Sequence, residues 1–149
     1  LYDPFRKGVV AHPYYLTEEN VSELEAFDFV FICVDKGSAK KTVAEHLEKT
    51  GKSFVDVGMG IVVAEGKLLG VVRTSASTPE DRGAFQKHVR FGDGDPDAAY
   101  TKNVQIAELN ALNACHAVMK WKKINGIYLD LEGEMNSNYT IDGNHMSNE

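Results

Sequence analysis

Asp28-Phe29-Val30-Phe31-Ile32-Cys33-Val34-Asp35, followed by Lys36-Gly37-Ser38, is the stretch on which the reading of this chain turns. An unbroken apolar run of strand length between two aspartates reads as a fully buried strand that ends in a carboxylate. In a parallel α/β sheet, ligands sit outside the carboxyl edge of the strands. An aspartate at that edge can hold a cation or a ribose without entering the core. The chain starts at Leu1 and carries no glycine-rich phosphate loop. It therefore reads as the later part of a nucleotide-binding fold, lacking its N-terminal nucleotide-binding half.

Outward from this strand the pattern is β-α-β. Ser38 to Thr50 is amphipathic, with Val43, Ala44 and Leu47 on one face and lysines on the other. Gly51 follows as the glycine that ends a helix. Ser53 to Gly58 is the next buried strand, so Phe29 to Val57 predicts two parallel strands joined by a right-handed crossover. The pattern then changes. Ile61–Glu65 and Leu68–Arg73 flank Gly66-Lys67, a two-residue hairpin signal that makes these strands antiparallel. Upstream, Gly8 to Tyr15 reads as a short strand. Thr17 caps a short helix running to about Phe27, with Asn20 where a capping box prefers Glu or Gln.

Downstream, Thr78-Pro79-Glu80-Asp81 predicts an N-cap with proline at the first helical position, opening a helix that ends near Val89. Lys102 to Lys123 is the longest predicted helix, ended by Asn125-Gly126. Val104, Ala107, Ala111, Ala114, Val118 and Trp121 recur at helical spacing and predict a small-residue stripe lying close to a sheet. Two further strands are expected at Ile127–Leu131 and Tyr139–Ile141, with a frayed polar tail.

Composition narrows the classes. The 149 residues are 43% hydrophobic, which fits one globular domain spanning 1–149. A net charge of −6 argues against a nucleic-acid groove, which carries a basic stripe. No stretch reads as a signal peptide or a transmembrane span. Cys33 and Cys115 are the only cysteines, one in the buried strand and one in the long helix. Neither is in a CxxC pair, and both suit a reducing cytoplasm.

The order of elements, with Asn20-Val21, Glu23-Leu24, Asp28–Asp35, Phe54-Val-Asp-Val-Gly-Met59, the hairpin with Gly70, and a helix holding Asn103, Gln105, Ala107, Ala111 and Lys120, resembles the ThiF/MoeB/HesA family of ubiquitin-like-protein activating enzymes. The resemblance covers nearly the whole chain but only the later part of the family's domain. It implies a Rossmann-like α/β fold with a partly parallel sheet and an antiparallel extension. It implies adenylation, by ATP and Mg, of the C-terminal carboxylate of a ubiquitin-like or sulfur-carrier protein. Asp35 falls where the family's catalytic-site carboxylate holds Mg through ATP, so Asp35 and Lys36 are the expected cofactor contacts. The resemblance also implies a homodimer, while cysteine usage, charge and hydropathy give a cytoplasmic setting with neither nucleic acid nor membrane as partner. The family's phosphate loop and its phosphate-clamping Arg and Lys would precede Leu1; Arg6 and Lys7 are candidates for late members of that cluster. The segment from about Thr74 to Thr101 lacks the crossover cysteine of some members, and no CxxC zinc pairs occur.

Other residues carry competing readings. Asp35 could instead cap the helix near Ser38. Asp56 either faces a ligand or, as expected here, bonds nearby backbone amides. Asp93, Asp95 and Asp97 alternate like a calcium loop, but Ala98 and Val104 stand where Gly and Glu are required. Cys115 reads as an inert thiol on a packed helix face, and His116 beside it does not share that face. His12, His46 and His88 show no metal spacing and read as surface or loop residues. Arg73, Arg82, Lys87 and Arg90 read as a solvated loop offset by Glu80 and Asp81. Tyr14 and Tyr15 read as packing. Two other functions fit the same pattern: a dinucleotide-dependent oxidoreductase, and a non-catalytic binding module on the same scaffold.

Overall fold

A computed structural model describes residues 8–92 and 106–149. Within them a 3-10 helix, Val21–Ala26, leads into β1 (Phe29–Ile32), α1 (Gly37–Lys49), β2 (Ser53–Ala64) and β3 (Lys67–Ser77). Then come α2 (Gly83–His88), α3 (Ala107–Ile124), β4 (Asn136–Thr140) and β5 (His145–Asn148). The strands form one sheet in the order β1-β2-β3-β4-β5. β1 and β2 are parallel, and every later pair is antiparallel. This is the α/β fold with a partly parallel sheet and an antiparallel extension that the sequence predicts.

Side-chain alternation along β2 sorts the two faces. Phe54 points toward α1 and α2, where Val43, Ala44, Leu47 and Phe85 bury it. Its ring meets Phe85 edge-on, with centroids 4.9 Å apart. Val55 points the other way and packs with Ala76 of β3 and Ala117 of α3. Gly51, at φ +73°, ends α1 as expected. The hairpin is a two-residue turn, but one residue earlier than predicted. Ala64 pairs with Lys67, so Glu65 and Gly66 turn the chain at φ of 52° and 75°. Both angles positive is the twist that suits a tight hairpin, and glycine accepts it at no steric cost.

Several expectations are corrected. β1 is shorter than the apolar run and lies at one end of the sheet order. Phe31 and Cys33 are exposed, because among the described residues only β2 pairs with it. Gly8 to Tyr15 forms no strand, and Val9, Val10 and Tyr15 are exposed rather than packed. Without a paired neighbour an apolar segment cannot satisfy its backbone as a strand. The Thr17 turn does form: Asn20 Oδ1 accepts the Thr17 N–H at 2.7 Å, the return bond of a capping box. The following helix is only a 3-10 segment. Thr78 closes a turn with Asp81, and the helix starts later, at Gly83.

The packed face of α3 is not the small-residue stripe. Leu109, Asn113, Ala117 and Lys120 are buried, whereas Ala107, Ala111, Ala114 and Val118 are exposed. Polar bonds made by Asn113 and Lys120 set the rotation of the helix. Asn125 and Gly126 end it as expected. Ile127–Leu131 is a turn region with Leu129 and Leu131 exposed, not a strand. The tail is not frayed: β5 pairs with β4, and the Glu149 backbone bonds Asn136. Arg6, Lys7, Asp93, Asp95, Asp97, Ala98, Lys102, Asn103, Val104 and Gln105 lie outside the described residues.

Candidate functional site

A cleft opens where β1 stops and β2 continues. The last β1 residue, Ile32, pairs with Asp56, while β2 and β3 run on together as far as Ala64 and Lys67. Beyond the carboxyl end of β1 this mismatch leaves an open space of about 400 Å³, bordered by Val34, Asp35, Lys40, Gly58, Arg73 and Arg90. It is the position at which α/β sheets bind ligands.

The floor of the cleft is a polar network on the α1 face of the sheet. Asp56 is fully buried. Lys40 Nζ lies 2.8 Å from its Oδ1, and Arg73 Nη2 donates to its Oδ2 at 2.6 Å. Arg73 Nη1 donates to Ser75 Oγ, and Ser75 donates to the buried Asn136 Oδ1, each at 2.6 Å. Gly58 makes the geometry possible, since a Cβ there would stand 2.8 Å from Arg73 Nη2. Asp56 therefore ion-pairs with two cationic side chains and is hydrogen-bonded by Arg73, not by the backbone amides expected of it. Lys40, expected to face outward, is turned in because burial of Asp56 requires a cation. A signal existed in the sequence. Lys40 is on the same helical stripe as Val43, Ala44 and Leu47, so a lysine interrupts an otherwise apolar face.

Asp35 is exposed on the cleft wall, just past β1. Lys36 occupies the N-cap position of α1 and is exposed; it does not border the cleft. Cys33 is exposed at the residue level. Burial of its thiol within the surrounding protein, and then the Asp56 carboxylate, push that thiol up, while nearby Lys40 pulls it down less. It is thus protonated at neutral pH and a poor nucleophile. Cys115 is also exposed, because the helix face carrying it is not the packed one.

Of the acids expected to offset the remaining cations, Glu80 acts on Arg82, as does Glu48. Arg82 donates to Lys52 O and Ser77 Oγ, and burial lowers its pKa. Lys87 and His88 both reach Glu149, at 2.6 and 2.9 Å. His46 meets Glu25 at 3.1 Å, and His12 bonds Tyr14. Tyr14 donates to Glu23, a bond that raises the phenol's pKa; its ring is exposed rather than packed.

A second polar cluster anchors α3. Asn113 Nδ2 donates to Gly58 O at 2.9 Å, and Thr74 donates to Asn113 Oδ1 at 3.1 Å. Lys120 and Lys123 meet Glu134 Oε1 at 2.8 and 2.6 Å. Beside them a small cavity of about 170 Å³ is bordered by His116, Met119, Lys120, Glu134 and Met146. Burial lowers the His116 pKa, so this imidazole is neutral at pH 7.

Among the described residues, no group of three or more His, Cys, Asp or Glu side chains could hold a metal by itself. No described helix is long and apolar enough to cross a membrane. No family model matches this chain, and no curated protein matches it.

Proposed function

We propose that this chain forms the carboxyl-edge part of an adenylating domain of the ThiF/MoeB/HesA kind. Such a domain uses Mg and ATP to adenylate the C-terminal carboxylate of a ubiquitin-like or sulfur-carrier protein. The observation that carries this reading is the place of Asp35, on the wall of an open cleft past the end of a parallel strand. Mg is bound through one or two carboxylates plus phosphate oxygens, so an exposed carboxylate at this edge suits Mg delivered with a nucleotide. Bound Mg-ATP supplies the phosphorus centre and neutralises phosphate charge. Asp35 offers a hard oxygen ligand, and Lys36 stands next to it at the start of α1. The β2–β3 hairpin shapes one wall of the groove that receives the partner's tail. On this reading the glycine-rich phosphate loop comes from residues outside these 149 or from another chain, and the assembly is a homodimer. Two free thiols, Cys33 and Cys115, support a cytoplasmic setting.

The test is ATP–pyrophosphate exchange by the full-length protein supplied with ubiquitin-like or sulfur-carrier proteins. Exchange should require the partner's free C-terminal carboxylate. Asp35→Ala should lower it by about a hundredfold or more, the scale at which a preorganised electrostatic group acts. Absence of exchange, or exchange indifferent to Asp35, would overturn the reading.

A further inference from the structure

The floor of the cleft carries more positive charge than its own carboxylate offsets. Asp56 is the single acid between Lys40 and Arg73, at 2.8 and 2.6 Å. Lys40 is 7% exposed, and the Arg73 side chain 18%. A cation withdrawn from water needs an opposing charge. One carboxylate can offset only one of these two. A closed structural pair would match one to one and seal itself from solvent. Here both cations border open space, and Arg90 adds a third, exposed cation at the rim. Among the described residues bordering the cleft, Asp35 is the only further acid; His88 also borders it and is bonded to Glu149. The Arg73 guanidinium lies against the bare Cα of Gly58, and beside it Gly60 has open space where a side chain would stand, so a ligand can approach the backbone there. A guanidinium presents five N–H donors in a planar fork and an ammonium three, which suits an oxyanion.

We propose that this cleft is an oxyanion-binding site in which Lys40, Arg73 and, at the rim, Arg90 receive a phosphate or carboxylate group. Asp56 is a positioning residue: it clamps both cations in place and never meets the ligand. The site lies in the cleft that the adenylation reading gives to Mg-ATP, but its charge requires neither ATP nor a protein partner.

The test uses full-length protein labelled with 15N-glycine and titrated with inorganic pyrophosphate. Saturable amide shifts are expected at Gly58 and Gly60, with none at Gly126 or Gly133. Acetate that competes for the same shifts assigns the site to carboxylates as well; failure to compete restricts it to phosphates. Arg73→Lys keeps the charge but loses the fork, and should weaken binding about tenfold or more. Arg90→Ala, at an exposed position that leaves the fold intact, should weaken it about two- to fivefold. Shifts that do not saturate, or affinity unchanged in Arg90→Ala and in a folded Arg73→Lys, would overturn the proposal. Pyrophosphate binding without exchange activity would remove the adenylation reading alone, and exchange that is lost in Asp35→Ala but indifferent to Arg73→Lys and Arg90→Ala would remove this one alone.

Discussion

At the residue scale, Asp56 determines how the cleft is built. Its carboxylate is fully buried between an ammonium and a guanidinium. Asp56→Ala would leave Lys40 and Arg73 facing each other without an anion. Breaking a buried ion pair from one side costs about 3–5 kcal/mol. The expected outcome is a lower urea midpoint with an unchanged slope; an unchanged midpoint would show that the cations relax into water. Half of this arrangement was legible. Lys40 sits on the apolar stripe of α1, and Asp56 alternates with Phe54 on one strand face. The pairing was not legible, because Arg73 arrives from the far arm of a hairpin and reaches Asp56 only past the bare Cα of Gly58.

At the element scale, α3 shows how an apolar stripe can mislead. Ala107, Ala111, Ala114 and Val118 follow helical spacing as well as Leu109, Asn113, Ala117 and Lys120 do. The second set is buried because Asn113 binds both Thr74 and the Gly58 carbonyl, and Lys120 binds Glu134. Each of these bonds is lost if the helix rotates, and leaving such a group buried and unpaired costs about 1–3 kcal/mol. A leucine scan reads the orientation directly. Ala117→Leu overpacks Val55 and Ala76 and should destabilise by about 1–3 kcal/mol. Ala111→Leu, on the exposed face, should stay within about 0.5 kcal/mol. Thermal midpoints showing the reverse order would place the small-residue stripe against the sheet.

At the scale of the whole molecule, ion clusters tie late segments to earlier ones, and their titration sets the response to acid. Burial works against the Glu134 carboxylate, but its bonds to Lys120 and Lys123 outweigh this and hold it below its usual range. Asp130 is lowered in the same way against burial, by the Gly133 N–H and Lys123, and Glu149 is lowered by Lys87. Acids depressed in the fold contribute stability above their unfolded values of about 3.9–4.3, and lose it as pH falls through the folded ones. His116 behaves differently: burial lowers its folded pKa below about 6.5. As pH falls past that value the unfolded chain takes up the proton first, so stability drops. Urea midpoints measured from neutral pH downward should therefore fall in two stages, a shallow one below about 6.5 and a steeper one below about 4.3. Glu134→Gln should flatten the second stage and spare the first. An unaltered second stage would show that Glu134 does not carry it.

The sequence by itself determined the β-α-β order, the parallel pair, the hairpin, the ends of α1 and α3, and an aspartate just past a strand. These follow from periodicity and from turn residues such as Gly51, Gly66 and Gly126, whose effects reach only a few positions along the chain. Tertiary structure alone decided that β1 has β2 as its one strand partner among the described residues, that β5 extends the sheet beyond β4, which face of α3 is buried, and that Lys40, Asp56 and Arg73 meet beside Asp35. The physical reason is that a buried polar group is settled by its partner. Here the partners come from separate elements that only the folded sheet brings within bonding distance.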